Sequence, residues 1–250
     1  MQYYNSQGVL VEFDGLKSGH YGHNSEIMRL DDGSVYKRYF SKTEETNHIA
    51  LEVFEFIKQM ANKHMVKLIE RFYNAEGIPN PSDIKDNPER YIIDAYTFEW
   101  VEKENINIID MPTDYLTDNL RELILLADYL SAFGLYMLDI MPDNAVLNKN
   151  GIVLIDPDIY TFESSTSYKN FIKIDDNFRV KRWNRKQILK LFRNLFYKAL
   201  EMKKDDRTLS VADGIFGEVP WTGDYDVAIV SKKLKGFSTL GEYIHANKDR

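Results

Sequence analysis

An aspartate and an asparagine stand five positions apart in Leu138-Asp139-Ile140-Met141-Pro142-Asp143-Asn144-Ala145-Val146-Leu147, and two short apolar runs follow almost at once. The runs Asn144–Leu147 and Ile152–Ile155 flank Asn148-Lys149-Asn150-Gly151, a pattern that predicts a tight hairpin with Asn-Gly at the turn. Asp156 stands at the exit of that hairpin, twelve positions after Asn144. A hairpin fixes the separation of its two ends, so this stretch ties an amide and a carboxylate to one place in the fold. Taken singly, Asp139 and Asn144 read as turn caps, and Asp143 and Asp158 as loop residues. The strand pattern around them favours a built site.

The rest of the chain has the material for a packed protein. Hydrophobic residues make up 44% of 250 and charged residues 28%, enough apolar surface to offset the chain entropy lost on folding. Acidic residues outnumber basic ones 39 to 32, and a net charge of −7 argues against a nucleic-acid or membrane partner. The absence of cysteine excludes a disulfide framework, a thiolate metal site and a cysteine nucleophile; it fits a reducing compartment, so a cytoplasmic location is expected. Met1–Asn5 lacks the basic and apolar run of a secretory signal. The apolar stretch from Leu120 to Leu138 is interrupted by Arg121, Glu122 and Asp128, which suits a core helix better than a membrane span. The five histidines are too scattered for a zinc site, and no Gly-x-Ser-x-Gly nucleophile turn is present.

Residues 1–100 read as strand-rich with one helix. Val9–Phe13 and Glu26–Leu30 are strand candidates, and Asp31-Asp32-Gly33 turns the second into Ser34–Phe40, placing Lys37 within a strand. Apolar positions Ile49, Val53, Phe54, Ile57 and Met60 recur at helical spacing, so a helix is expected from Thr43, its cap, to Met60. Strands are expected over His64–Phe72 and Arg90–Val101, joined by an exposed loop from Asn74 to Pro88. A hinge near Val101 leads into residues 101–250, which read as helix-rich. Leu116 to Phe133 forms a helix ended by Gly134, and Arg185 to Met202 forms another, while the last thirty residues give no clear pattern.

The segment Asp139-x-x-x-x-Asn144 with Asp156 beyond a hairpin resembles the catalytic loop of the protein-kinase-like family. The resemblance covers about residues 9 to 160 and implies an α+β, bilobal fold, with a small strand-rich N-lobe and a larger helical C-lobe binding ATP and magnesium between them. It implies that Asp139 orients or deprotonates an acceptor hydroxyl and that Asn144 and Asp156 hold Mg2+ against the phosphates. Magnesium favours hard oxygen ligands in octahedral geometry, which a carboxylate and an amide oxygen supply while leaving room for water and phosphate. Lys37, in Val35-Tyr36-Lys37-Arg38, is similar to the lysine strand that reaches the α- and β-phosphates. Its acidic partner is Glu52 or Glu55, with Glu52 favoured by its distance from the next strand. Phe98-Glu99-Trp100-Val101 looks like the passage to the hinge, with backbone groups of Glu99 and Val101 meeting adenine. Gly19 and Gly22 lie in a glycine-bearing loop that would cover the phosphates, without reproducing Gly-x-Gly-x-x-Gly.

The chain departs from the family pattern in several places. Met137-Leu138 stands where His-Arg is usual, and Met141 where protein kinases carry a lysine that neutralises the transferring phosphoryl group. Asp156-Pro157-Asp158 replaces Asp-Phe-Gly, and no Ala-Pro-Glu follows. The expectation is an ATP- and Mg2+-dependent phosphotransferase acting on a hydroxyl of a protein or small molecule. The alternatives are a pseudokinase that binds nucleotide or serves as a scaffold and, on the same fold, a nucleotidyl transferase.

Overall fold

The computed structural model describes residues 2–13, 20–21, 25–40, 48–162, 180–201, 214–215 and 227–247. The chain divides into two compact units, Met1–Val101 and Glu102–Arg250. No described helix is long and apolar enough to cross a membrane.

The first unit is a seven-stranded antiparallel sheet with a helix on one face. Its strands are β1 (Gln2–Asn5), β2 (Leu10–Glu12), β3 (His20–Tyr21), β4 (Ser25–Arg29), β5 (Val35–Tyr39), β6 (Leu68–Asn74) and β7 (Ala95–Phe98), in the spatial order β2-β1-β6-β7-β5-β4-β3. The β4–β5 hairpin forms where Asp31-Asp32-Gly33 predicts it. The Asp32 carboxylate accepts from the backbone N–H and the hydroxyl of Ser34, at 2.8 and 2.6 Å, and Gly33 takes the left-handed backbone (φ 85°) that the turn needs. Strand alternation sends Tyr3, Met28, Tyr36, Phe72 and Ala95 to one face, where Val11, Phe13 and Leu30 pack on them. The opposite face carries Lys37, Tyr39, Arg71, Tyr73 and Tyr96, against which α1 (Leu51–Gln59) buries Val53, Phe54 and Ile57.

The helix is shorter than its apolar spacing predicts. Ala50 is extended (φ −68°, ψ 146°) and caps α1 without a side-chain bond, and Thr43, the expected cap, lies outside the described residues. The strand expected over His64–Phe72 begins at Leu68 and runs on to Asn74, because Tyr3 and Tyr4 of β1, a strand the pattern did not suggest, pair with Asn74 and Tyr73. The expected loop from Asn74 to Pro88 holds a short helix, α2 (Ser82–Asp86).

The second unit is helical around two small two-stranded sheets. Its elements are α3 (Thr113–Ala132), β8 (Leu135–Met137), β9 (Ala145–Asn148), β10 (Gly151–Leu154), β11 (Tyr160–Phe162), α4 (Val180–Glu201), α5 (Val227–Leu234) and α6 (Leu240–Asn247). β9 pairs with β10 and β8 with β11, both antiparallel. The predicted hairpin is present with its turn one residue earlier: Asn148 pairs with Gly151, so Lys149-Asn150 makes the turn and Gly151 opens the second strand at φ 141°. α3 ends before Gly134 (φ 72°), as expected, and α4 begins five residues earlier than Arg185. The C-terminal stretch, unreadable in sequence, closes the start of α3: Thr113 donates its N–H to Ser238 O and its hydroxyl to Phe237 O, both at 2.9 Å. Those bonds satisfy a helix N-terminus whose cap, Pro112, offers no side-chain partner.

α3 and α4 are joined by a two-pronged ion pair. Arg185 Nε and Nη2 donate to the two oxygens of Asp128 at 2.6 and 2.5 Å, with Lys181 Nζ at 3.3 Å. Burial works to raise the Asp128 pKa, but the hydrogen bonds and charges of Arg185 and Lys181 outweigh it and hold the carboxyl below its ordinary value of 3.8. A depressed carboxyl stabilises the fold above its unfolded pKa and loses that contribution as pH falls through the folded value. Asp128→Asn is therefore expected to cost about 1 kcal/mol near neutral pH, with the deficit closing on the acid side of pH ~4. Urea denaturation of both proteins across that range checks this, and a deficit unchanged down to pH ~3 would rule out the ion pair as its source.

Candidate functional site

The predicted loop is fixed at its start by two side chains of α4. Leu135, Tyr136 and Met137 of β8 are buried, and β11 occupies one edge of the strand. On its other edge, Asn184, fully buried, accepts from the Met137 N–H at 2.8 Å and donates to Leu135 O at 2.7 Å and Ser131 Oγ at 3.0 Å. Trp183 Nε1 donates to Met137 O at 2.7 Å. These bonds do for the strand what a neighbouring strand would do.

Beyond Met137 the loop runs along α4. Lys190 Nζ lies 3.7 Å from Asp139 Oδ1, Asn194 Nδ2 lies 3.5 Å from Met141 Sδ, and Lys198 Nζ donates to Asp143 Oδ1 at 2.5 Å. Two residues of extended chain span about 6.6 Å and four residues of helix about 6 Å, so Asp139 and Met141 match successive turns of the helix. Ile140, pointing the other way, is fully buried.

Hydrogen bonds along the loop tie Asn144 to the backbone of Asp139 and to the residue before Asp156. Asn144 Nδ2 donates to the backbone O of Asp139 at 2.9 Å, and Ile155 N donates to Asn144 O at 3.0 Å. Asp156 follows directly, half-buried, with its carboxylate accepting from Asp158 N at 3.4 Å. Because the Asn144 amide is turned with its nitrogen toward Asp139, its oxygen is presented on the opposite side as a hard acceptor. Asp139 is 63% exposed, so its carboxylate is open to a ligand. Tyr160, on the neighbouring β11, keeps its phenol protonated: burial, then the charge of Asp156, push its pKa well above the usual tyrosine range. The hairpin itself is held at both edges, by Asn119 Oδ1 accepting from Ile152 N at 2.9 Å and by Glu104 N donating to Leu147 O at 3.3 Å.

In the first unit, Lys37 is 6% exposed, with Nζ 5.8 Å from the Tyr39 ring and 5.9 Å from the Tyr96 ring. Glu52 is exposed in the first turn of α1. Glu55, one turn on, forms an ion pair with Arg71 of β6, whose Nε donates to Tyr73 Oη at 2.6 Å. Glu99 follows β7, exposed, with its N–H bonded to Lys67 O at 2.9 Å, and Val101 is half-buried. Gly19 and Gly22 lie outside the described residues. Sequence reasoning missed Trp183, Asn184 and Lys190; the only trace of Asn184 in the sequence is a polar residue on what proves to be the apolar side of α4.

Among the described residues no group of three or more His, Asp or Glu side chains gathers as a metal cluster. A single carboxylate with an amide oxygen, as at Asp156 and Asn144, is a smaller donor set that suits a magnesium ion sharing its shell with water and phosphate. The chain matches no protein-family model and no curated protein.

Removing the Asn184 side chain leaves the Met137 N–H and the Leu135 carbonyl buried without partners. Asn184→Ala is expected to cost about 2–4 kcal/mol in denaturant unfolding. A loss below about 1 kcal/mol would mean that water or a rearranged strand satisfies those groups.

Proposed function

We propose that the protein is an ATP- and Mg2+-dependent phosphotransferase of the protein-kinase-like class, moving the γ-phosphate to a hydroxyl of a protein or small molecule. The observation that carries this reading is the tying of Asn144 to both neighbours: its side-chain Nδ2 donates to the backbone O of Asp139 at 2.9 Å, and its backbone O accepts from the N–H of Ile155, the residue before Asp156, at 3.0 Å. Lys37, buried on a central strand of the first unit, adds a fixed cation suited to phosphate oxygens.

In this reading Asp139 takes the proton of the acceptor hydroxyl as its oxygen forms a bond to the γ-phosphorus, and the bond from that phosphorus to the bridging oxygen of ADP breaks. Asn144 and Asp156 would hold the magnesium, and Lys37, by the resemblance, would meet the α- and β-phosphates. The bound cation supplies charge neutralisation for the polyphosphate. Glu52 and Glu55 both remain candidates for an acidic role on α1, with Glu55 engaged by Arg71. The hinge backbone at Glu99 and Val101 is assigned to adenine by resemblance alone.

A second reading, a nucleotide-binding pseudokinase, is favoured by Met137, Leu138, Met141 and Pro157; Met137 is wholly buried and serves packing. Melting curves with Mg-ATP and phosphate-release or transfer assays separate the two. The phosphotransferase reading expects a rise in Tm for the native chain, the same rise for Asp139→Asn, and a fall in turnover of about 100-fold or more for that variant. Asn144→Ala and Asp156→Asn are expected to lose the magnesium-dependent part of the rise. A rise without turnover leaves the pseudokinase, and no rise at all removes both.

A further inference from the structure

We propose that Lys190 of α4 supplies the transfer-site cation that the loop lacks at Met141, contacting the phosphoryl group as it passes to the acceptor. The inference rests on the phosphotransferase reading of Asp139 and adds a residue to that site.

Residues 138–148 carry two carboxylates, Asp139 and Asp143, and no cation. A group whose charge spreads over three oxygens during transfer would meet only negative side chains from this loop. The structure brings cations to it from α4, some fifty residues further along the chain. Lys198 is engaged with Asp143 at 2.5 Å. Lys190 approaches Asp139 at the looser distance of 3.7 Å, with 44% of its side chain exposed. A lysine Nζ there is one short rotation from any oxygen placed against the Asp139 carboxylate. The helical register that sets Asn194 beside Met141 sets Lys190 one turn away, next to the residue argued to take the acceptor's proton.

An ordinary surface ion pair is the competing explanation, and transition-state-analogue binding separates the two. A pair with both partners about half exposed contributes little to stability. Lys190 also follows Lys186 and Arg182 at four-residue spacing on the same helix, where like charges repel. Burial, and then the charges of Lys190 and Arg182, depress the Lys186 pKa, in keeping with three cations crowded along one stripe. The stripe gathers positive charge along the side of α4 on which Lys190 meets the loop.

The test uses binding, so no acceptor is needed: affinities for Mg-ADP, and for Mg-ADP with aluminium fluoride as a mimic of the phosphoryl group in transfer. The native chain should bind the second at least about tenfold more tightly. Lys190→Ala should keep the Mg-ADP affinity, which also reports that it folds, and lose most of that gain. Lys190→Arg should keep it, Met141→Lys should restore it in the Lys190→Ala background, and Lys181→Ala, on the α3 side of the helix, should leave it intact. A Lys190→Ala protein with the full gain overturns the assignment, as does a native chain that binds Mg-ADP without any gain, or an equal loss in Lys181→Ala. A native chain that binds no nucleotide instead removes the phosphotransferase reading itself.

Discussion

The fully buried amide of Asn184 bonds three polar groups at once, the Ser131 hydroxyl, the Leu135 carbonyl and the Met137 N–H. β8 is three residues long and buried along its length, and β11 pairs with only one of its edges. A strand so short cannot stand with its other edge unsatisfied, since each lone buried backbone group costs about 1–3 kcal/mol. Asn184 and Trp183 meet that demand and, in doing so, lock the end of β8 to one register on α4. The position of every later loop residue against the helix follows from this lock. Lys190, Asn194 and Lys198 then meet Asp139, Met141 and Asp143 in order.

The hairpin supplies the second fixed point. Tyr115 donates its hydroxyl to Asn148 O at 2.8 Å, Asn119 takes the Ile152 N–H, and Glu104 bonds both Leu147 O and the Lys149 N–H. Burial and the charge of Glu104 keep the Tyr115 phenol protonated, its pKa pushed up to about 12, so this hydroxyl remains a donor over the physiological range. Between the lock on α4 and the anchored hairpin only six residues, 138 to 143, have to find their own path, and the side chain of Asn144 bonds back to Asp139 to close it. Exposed polar side chains can thus be presented at fixed places without a core of their own.

What was legible in the sequence was local. The Asp139, Asn144 and Asp156 arrangement depends on a loop and a hairpin of under twenty residues, whose turn chemistry is written in Asn148–Gly151, even though the turn closes one residue earlier than Asn-Gly suggests. α3 and its stop at Gly134 were equally plain. The supports from α4 were not, because Trp183, Asn184 and Lys190 lie about fifty residues from what they touch, and a polar residue in an amphipathic helix reads as surface. Glu52 and Glu55 illustrate the same limit. Three residues apart, they share a face of α1, and only the ion pair of Glu55 with Arg71 distinguishes them. The early start given to α1 has a related cause: Ile49 fits the helical period but is buried from extended chain, its N–H bonded to Tyr39 Oη at 3.1 Å.

The two lysines assigned to phosphate are held in opposite ways, and the difference bears on what each is suited to do. Lys37 is buried among aromatic rings on a strand bonded on both sides, so its position is set before any ligand arrives. A cation fixed in this way interacts alike with a phosphate at rest and one in transfer, which favours binding without favouring the reaction. Lys190 extends a half-exposed stem from a helix and shares its charge with Asp139 until something more negative appears. In the proposed transfer, Asp139 would cease to compete for that lysine once it takes up the acceptor's proton, as charge spreads over the phosphoryl oxygens. On that proposal the attraction of Lys190 for those oxygens would grow along the reaction, the condition under which an interaction lowers a barrier rather than merely deepening a well.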